Sequence, residues 1–252
     1  MTDTKEERLL KFIRKSHSEA VEYAKFIKFE KRNPQHVYSV ALYCRVIGLT
    51  ESCLILIEQK ATVGLPVILR SLLEAFVDIT NLIKNPDYVK NMDARSLAEW
   101  IKILDEAGTG SNPFLSRIFE SDDLKTTLFD WRRDLHNFKK EKRGPLTAFE
   151  RFDMAGRQYE YHSVYNSLCA ESHNDVRVLI GRHIEIIDES NFRVVLQEEQ
   201  SLEGINHYLD AMGLIIVNSS LQVHKFLESD HSPLFNDSNI EFGKIRHSGN
   251  SA

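Results

Sequence analysis

The sequence predicts a mainly α-helical protein, a multi-helix bundle with a small β-hairpin before the last long helix. Apolar residues recur at helical spacing through most of the 252 residues. Only 11 glycines and 6 prolines are present, and so few helix breakers favour long helices over a many-turned β fold. Hydrophobic residues make up 42% of the chain and charged residues 27%, which is typical of a globular protein with a packed core.

The predicted helices are separated by glycine, proline or turn residues. They cover residues 6–31, 36–61, 66–84, 87–107, 114–119, 124–142, 146–155, 159–172 and 203–227. Asn33-Pro34 ends the first helix, and Pro66 suits the first turn of the third. Helix 66–84 is apolar almost all round, so we predict that it is the central helix of the bundle.

Residues 183–196 break the helical pattern. Residues 183–187 alternate at about period two, 188–191 have turn chemistry, and 192–196 are rich in β-branched residues, which together predict a hairpin. Residues 229–252 are rich in serine, aspartate, asparagine and glycine, and predict a loosely held tail. Because no repeat or low-complexity linker divides the chain, we expect one helical domain over residues 1–228 followed by this tail.

Charge and short motifs narrow the classes of function. The net charge of −5 does not suit binding to nucleic acid by bulk electrostatics, so RNA as a partner would require a local basic surface. The three cysteines lack the spacing of a disulfide framework or a zinc knuckle. Motifs for a P-loop, a dinucleotide fold, a nucleophile elbow and a zinc protease are absent. We therefore expect neither a metal nor a cofactor.

The start of the chain and the length of its apolar runs bear on location. Residues 1–14 are charged and amphipathic, which does not suit a signal peptide. The longest apolar runs, 54–57 and 214–217, are far shorter than the ~20 residues that span a bilayer. We expect a cytoplasmic protein that does not bind a membrane.

Charged residues inside the most apolar helix mark the first candidate site. Arg70 and Glu74 are four residues apart and lie on one helical face, and Asp78 continues that face one turn later. Arg and Glu are almost never fully buried unless they are paired. Two interpretations stay open: a buried ion pair that fixes the helix, or a cleft in which Arg70 binds an anion.

A second candidate lies where helix 159–172 ends. Tyr165 and His173 are eight residues apart, about two helical turns, and face one way if the helix continues. His173 is then a candidate general acid or base, since histidine titrates near neutral pH. The alternative is a core histidine bonded to a partner such as Glu74.

These two segments carry a resemblance to a known family. R-S-L-L-E at residues 70–74 and Y-N-S-L-C-A-E-S-H at 165–173 resemble the R-S-L-x-E helix and the later Y-x-x-L-[SC]-x-x-x-H segment of a bacterial domain family numbered 5677. The resemblance covers roughly residues 37–226. It implies an α-helical fold, a polar cluster that joins the two segments, and a place in bacterial stress or defence systems.

That fold is similar to the HEPN class of helical domains, many of which are metal-independent endoribonucleases acting as dimers. The class has the signature R-x(4–6)-H, which this sequence matches at Arg157–His162 and at Arg177–His183. We favour the first match, because polar Gln158 follows its arginine. Roughly two matches are expected by chance in a chain of this composition, so the spacing by itself carries almost no information.

A basic run near the end of helix 124–142 is the last candidate. Its members Arg132, Arg133, Lys139 and Lys140 are interleaved with aromatic residues, a mixture that can hold phosphates and stack bases. Cations near a helix C-terminus are also expected from the helix dipole alone.

Two hypotheses follow from these candidates. In the first, Arg70, Glu74 and His173 are the catalytic residues of a metal-independent ribonuclease, with Tyr165, Asp78, the Arg157–His162 pair and the basic run as binding residues. In the second, the chain is a non-catalytic sensor or partner-binding module, and its partner protein is encoded nearby. The apolar first helix suits a homodimer in either case.

Overall fold

The computed structural model of the protein describes residues 3–115, 122–188, 190–196 and 201–247, and it confirms the predicted mainly α fold with one hairpin. The longer helices are α1 (Lys5–Ala24), α2 (Pro34–Glu58), α3 (Leu65–Lys84), α4 (Tyr88–Gly108), α5 (Asp122–Lys140), α10 (Asn206–Phe226) and α11 (Ser232–His247). The shorter elements are α6 (Ala148–Ala155), α7 (Gln158–Glu160), α8 (Asn166–Ser172), α9 (Val176–His183), and the antiparallel strands β1 (Ile184–Ile186) and β2 (Phe192–Val194). Residues 116–119 of the predicted short helix lie outside the described residues.

Helix α3 is the central helix, as the sequence predicts. It packs against α2, α10, α8 and α6. Leu69, Leu72, Phe76 and Ile79 on α3 are completely buried and belong to the main hydrophobic core. This central position explains why the charged residues of α3 need partners from other helices.

Side-chain caps begin several helices. The Asn33 side chain accepts hydrogen bonds from the backbone at the start of α2, where Pro34 occupies the first turn. Thr147 and Glu150 form a reciprocal capping box at the start of α6. The cap of α6 fixes the entry of a short helix that contributes to the candidate site.

Helices α4 and α5 pack against each other around a small core of their own. Ile101, Leu104 and Leu128 are its buried members. Asn91 on α4 donates a hydrogen bond of 2.9 Å to the backbone carbonyl of Gly144, in the segment that follows α5. The two helices therefore form an arm, which we call the α4–α5 arm.

The prediction of a loosely held tail over residues 229–252 is wrong for residues 232–247. These residues form α11, which packs against α1 and α10. Phe235 and Phe242 are buried, and Phe242 stacks on Phe12 with ring centroids 5.6 Å apart. The polar composition hides a narrow apolar stripe, which is sufficient because two other helices cover it.

Helix α2 is long and apolar enough to cross a membrane by length and composition, which the short apolar runs in the sequence did not suggest. The same criterion is met by core helices of soluble proteins. In its most apolar stretch, 39% of the residues are buried inside the fold, and α2 packs against α3 and α10. Alone, this finding is weak support for a membrane span.

The predicted helix 159–172 contains a change of helical type. Helix α7 is followed by a π-helical turn over Tyr161–Tyr165 and then by α8. A π turn accommodates one extra residue and so rotates everything that follows. Beyond it lies α9, which was not predicted; its eight residues precede β1 directly.

Candidate functional site

A row of charged side chains on α3 forms the base of the site. Arg70, Glu74 and Asp78 are spaced by four residues and share one face of the helix. Arg70 Nε lies 3.3 Å from Glu74 Oε1. The predicted ion pair is therefore present, but its two side chains are 27% and 28% exposed and reach the edge of the core.

The π turn and α8 bring Tyr165 and His173 to this row. The Tyr165 hydroxyl donates a hydrogen bond of 2.9 Å to Glu74 Oε1. Arg70 Nη1 contacts His173 Nε2, and Arg70 Nη2 lies 3.5 Å from the Tyr165 hydroxyl. The four residues that we chose from two distant segments therefore meet in one cluster, which we call the Arg70 cluster.

A hydrogen bond between Arg70 and His173 requires one particular tautomer of the imidazole. A guanidinium has only donors, so His173 Nε2 must be the acceptor and the ring must carry its proton on Nδ1. His173 is exposed, because it follows the last turn of α8. The Nε2 atom of His173 thus lies beside a cation at the solvent edge of the bundle.

Two arginines that the sequence analysis missed complete the row. Arg151 on α6 donates to Glu74 Oε2 at 3.3 Å and to Asp78 Oδ1 at 3.2 Å. Arg95 on α4 donates to Asp78 Oδ2 at 2.8 Å, and the Tyr88 hydroxyl donates to Asp78 Oδ1 at 2.6 Å. The five charged groups form one continuous network of three guanidiniums and two carboxylates.

A sequence signal for Arg151 existed. Ala148, Phe152 and Ala155 recur at helical spacing along α6, and Arg151 falls on the same side, where it is only 7% exposed. No comparable signal identified Arg95, because its helix is amphipathic and its partner Asp78 lies on another helix.

The network is closed at one end and open at the other. Asp78 and Arg151 are buried, whereas His173 is exposed. Because the network has one guanidinium more than it has carboxylates, its charge does not cancel. The open end, where Arg70 contacts the exposed His173 ring, is therefore suited to an anion.

Neighbouring charges also fix the protonation of Tyr165 and Arg70. Burial, the charge of Glu74 and the hydrogen bond to Glu74 raise the pKa of Tyr165 to about 12, so its hydroxyl remains a donor at neutral pH. For Arg70, burial acts to lower the pKa, but the Tyr165 and Glu74 interactions outweigh it and raise the pKa of the guanidinium.

The structure does not bring Arg157 and His162 together. The Arg157 guanidinium lies 4.5 Å from the centroid of the Phe76 ring and forms an ion pair of 2.6 Å with Glu160. The exposed His162 ring contacts Phe149 and Tyr161. Among the described residues, no contact joins Arg157 to His162 or either of them to the Arg70 cluster.

The basic run lies on α5, in the α4–α5 arm. Arg132 pairs with Asp105, and Arg133 pairs with Asp130 at 2.8 Å. Lys139 and Lys140 are exposed near the end of the helix. Acidic partners thus neutralise the two arginines, and no contact within the described part of the chain connects the run to the Arg70 cluster.

No group of three or more His, Cys, Asp or Glu side chains that could hold a metal ion occurs among residues 3–115, 122–188, 190–196 and 201–247. The cysteines are dispersed, with Cys53 buried and Cys44 exposed. The chemistry open to the Arg70 cluster with its own side chains is therefore anion binding and proton transfer.

Comparison with known families gives one match. The model of a family described as "Family of unknown function (DUF5677)" matches residues 36–192, and this range contains both segments of the Arg70 cluster. No curated protein and no solved structure matches the chain.

Proposed function

The chain belongs to the DUF5677 family, and we propose that its Arg70 cluster is the active site of a HEPN-like, metal-independent endoribonuclease of a bacterial stress or defence system. The contact between Arg70 and His173 at the open end of the network supports this proposal best. It pairs a cation that suits a phosphate with an imidazole nitrogen that can accept a proton.

The proposed reaction needs one proton acceptor and one cation. When a phosphodiester binds, Arg70 turns its Nη1 donor from His173 to a phosphate oxygen. His173 Nε2, released from that contact, takes the proton of the ribose 2′-hydroxyl while its oxygen attacks phosphorus. The imidazolium then returns the proton to the departing 5′-oxygen, which leaves a 2′,3′-cyclic phosphate and a 5′-hydroxyl. Arg70 stabilises the charge of the phosphorane.

Glu74 and Tyr165 have positioning roles in this scheme. Glu74 holds Arg70 Nε at 3.3 Å, and Tyr165 holds Glu74 at 2.9 Å. Arg151 shares the charge of Glu74 and so leaves Arg70 incompletely neutralised. The arginine and histidine come from α3 and from the end of α8, so this site does not use the R-x(4–6)-H spacing.

The test compares purified wild type with His173→Ala and Arg70→Ala on total RNA in the presence of EDTA. We expect wild type to cleave and both variants to lose about 100-fold or more of the rate, the usual contribution of a general acid or base. His247→Ala is the matched control, because His247 is also an exposed histidine but lies at the end of α11, outside the cluster. Full activity of His173→Ala, or none in wild type, would contradict the proposal.

A second candidate function is favoured by the buried end of the network. Asp78 accepts hydrogen bonds from Tyr88, Arg95 and Arg151, an arrangement that joins α3, α4 and α6 as a structural element. In this alternative the chain is a non-catalytic sensor or partner-binding module. Arg70→Ala would then melt at a much lower temperature, and neither wild type nor variant would cleave RNA. A folded Arg70→Ala that loses stabilisation by added phosphate would instead indicate an anion-sensing pocket.

A further inference from the structure

A cavity lies between α8 and α10, and we call it the α8–α10 cavity. It has a volume of about 320 Å³, and its walls are mainly apolar, with Leu69 of α3, Leu168 of α8 and Ala211 of α10 among them. Pockets that hold small molecules have volumes of about 300–1,000 Å³ and mostly apolar walls with a few polar groups. The α8–α10 cavity is therefore large enough for a small ligand.

One carboxylate, that of Glu171, lines this cavity. Its side chain is 13% exposed, and its Oε2 atom accepts hydrogen bonds from Arg182 Nη2 at 3.0 Å and from the Tyr208 hydroxyl at 2.5 Å. Among the described residues, Oε1 has a single long contact, at 3.4 Å from the Ser167 hydroxyl. Because each carboxylate oxygen can accept two hydrogen bonds, Oε1 can also accept one from a ligand.

The partners of Oε2 limit the kind of ligand that suits Glu171. Burial and the hydrogen bond to Glu171 raise the pKa of Tyr208, so its hydroxyl stays protonated and donates. Arg182 already pairs with the charge of Glu171, so Oε1 does not require a second cation. A neutral group with an N–H donor therefore suits it.

The α8–α10 cavity also has aromatic side chains. The exposed His207 and the buried Tyr208 both line it, and their ring centroids are 3.8 Å apart. Nucleobases stack on aromatic side chains, including those of histidine and tyrosine. A flat ligand with apolar faces and N–H donors at its edge thus matches both the walls of the cavity and Glu171.

The α8–α10 cavity and the Arg70 cluster are built on the same helices. Leu69 in the cavity directly precedes Arg70, and Glu171 comes two residues before His173. Two residues span at most ~7 Å of chain, so the two sites lie on different sides of the same end of α8. A nucleotide chain whose phosphate lies at Arg70 therefore has a base within reach of the cavity.

We propose that the α8–α10 cavity is a subsite for a nucleobase with an exocyclic amino group, which donates a hydrogen bond to Glu171 Oε1. This inference rests on the proposed ribonuclease function and adds the base that the site prefers. Carboxylates recognise the amino group of cytosine in this way, and the Ser167 hydroxyl can donate to the ring nitrogen beside it. Uracil has a carbonyl oxygen in place of the amino group, and a carboxylate repels that oxygen.

The test uses cytidine 3′-monophosphate and uridine 3′-monophosphate, whose bases have nearly the same size, with inorganic phosphate as reference. Calorimetry on the full chain should show cytidine binding about 10-fold more tightly than uridine, and phosphate most weakly. In Glu171→Gln, the donors Arg182 and Tyr208 keep the amide oxygen at the position of Oε2, so the NH₂ group replaces Oε1 and the preference should reverse. Equal binding of the two nucleotides by wild type, or an unchanged preference in Glu171→Gln, would overturn the proposal.

A second variant fills the cavity and leaves the contacts of Glu171 in place. Ala211→Leu should bind cytidine 3′-monophosphate no more tightly than phosphate, with a thermal melt to confirm that it folds. Ala41→Leu is the matched control, because Ala41 lines a different cavity, between α2 and α4, and it should bind as wild type does. Undiminished binding of cytidine by Ala211→Leu would overturn the proposal.

The same measurements separate the subsite from the proposed activity. Wild type that prefers cytidine but cleaves no RNA would support the subsite and contradict the ribonuclease. Wild type that cleaves RNA but binds both nucleotides equally would support the ribonuclease and overturn the subsite.

Discussion

Asp78 is the residue on which the buried part of the network depends. Its carboxylate is 4% exposed and accepts hydrogen bonds from Tyr88, Arg95 and Arg151. A buried ion that loses one partner is strongly destabilising, because the remaining charge stays out of water without compensation.

We therefore predict that Arg151→Met lowers the free energy of unfolding by about 3–5 kcal/mol. Arg132→Met is the control: Arg132 pairs with Asp105, but both side chains are about half exposed, so its loss should cost less than about 1 kcal/mol. Urea unfolding followed by circular dichroism measures both variants. Equal effects of the two substitutions would mean that burial does not determine how much these ion pairs contribute to the free energy of unfolding.

His224 predicts a dependence of stability on pH. Burial, with a smaller contribution from His231, lowers the pKa of His224 from 6.5 to about 4. Between pH 6.5 and pH 4 the unfolded chain binds a proton that the folded chain does not, so stability falls as the pH falls through this range. The loss from this one group approaches about 3 kcal/mol below pH 4.

Replacing the imidazole isolates this contribution from those of other groups. Stability measured at pH 7, 6, 5 and 4 should fall less steeply in His224→Gln than in wild type. Parallel curves for the two proteins would show that His224 titrates alike in the folded and unfolded states.

At the scale of elements, the packing of α11 on α10 rests on a close contact. Gly213 faces the Phe242 ring, and a Cβ at position 213 would lie 2.5 Å from one of its carbons. We predict that Gly213→Ala lowers the free energy of unfolding by about 1–3 kcal/mol, as overpacked cores do.

Gly243 provides the matched control for this prediction. A Cβ there has no atom within 4 Å, and it lies inside α11, so Gly243→Ala should be neutral or stabilise by up to about 1 kcal/mol through helix propensity. Chemical denaturation of both variants measures the two changes in the free energy of unfolding. A neutral Gly213→Ala would mean that α11 does not stay packed on α10 in solution.

The helices also show which parts of the fold can be predicted from the sequence and which cannot. The boundaries of α2, α3 and α4 follow from local proline, glycine and apolar spacing, and so could be predicted closely. Helix α11 could not, because its stripe contains only two large buried side chains, Phe235 and Phe242, and part of their packing comes from α1, at the opposite end of the chain. Pairing of Arg151 with Asp78 is likewise a contact between residues 73 apart in sequence.

The residues of the candidate site can also be divided into those that the sequence predicts correctly and those that it does not. Arg70, Glu74, Tyr165 and His173 were predictable, since a charge in an apolar helix and a polar residue at a helix end both require explanation. Arg157 and His162 fit a sequence spacing, but the residues between them include α7 and the start of the π turn, which leave the two side chains with different neighbours.

At the scale of the whole molecule, the two hydrophobic cores predict unequal stability. The apolar contacts of the α4–α5 arm form a small cluster of their own, and Tyr88 and Arg95 join α4 to α3, which lies within the large cluster. Regions with few buried apolar contacts open at lower free energy than the main core.

We predict that Leu128→Ala, which truncates a side chain in the smaller cluster, accelerates hydrogen exchange in α5 and leaves the slowest amides of α3 unchanged. Leu72→Ala, at the centre of the main core, should accelerate exchange in α3 and in every element that depends on it. Hydrogen exchange followed by mass spectrometry compares the two variants. Uniform acceleration by Leu128→Ala would show that the arm and the main core unfold together.

The π-helical turn over Tyr161–Tyr165 has a consequence for how this chain tolerates change in length. Each residue of an α-helix turns the chain by about 100°, so losing a single codon within the turn would restore an α-helix and rotate α8 by that angle. Tyr165 and His173 would then point away from Glu74 and Arg70, although every side chain of the cluster would still be encoded. In this segment a one-residue deletion is therefore more damaging to the cluster than most substitutions, and the spacing between Arg157 and Tyr165 is as much a part of the site as the residues themselves.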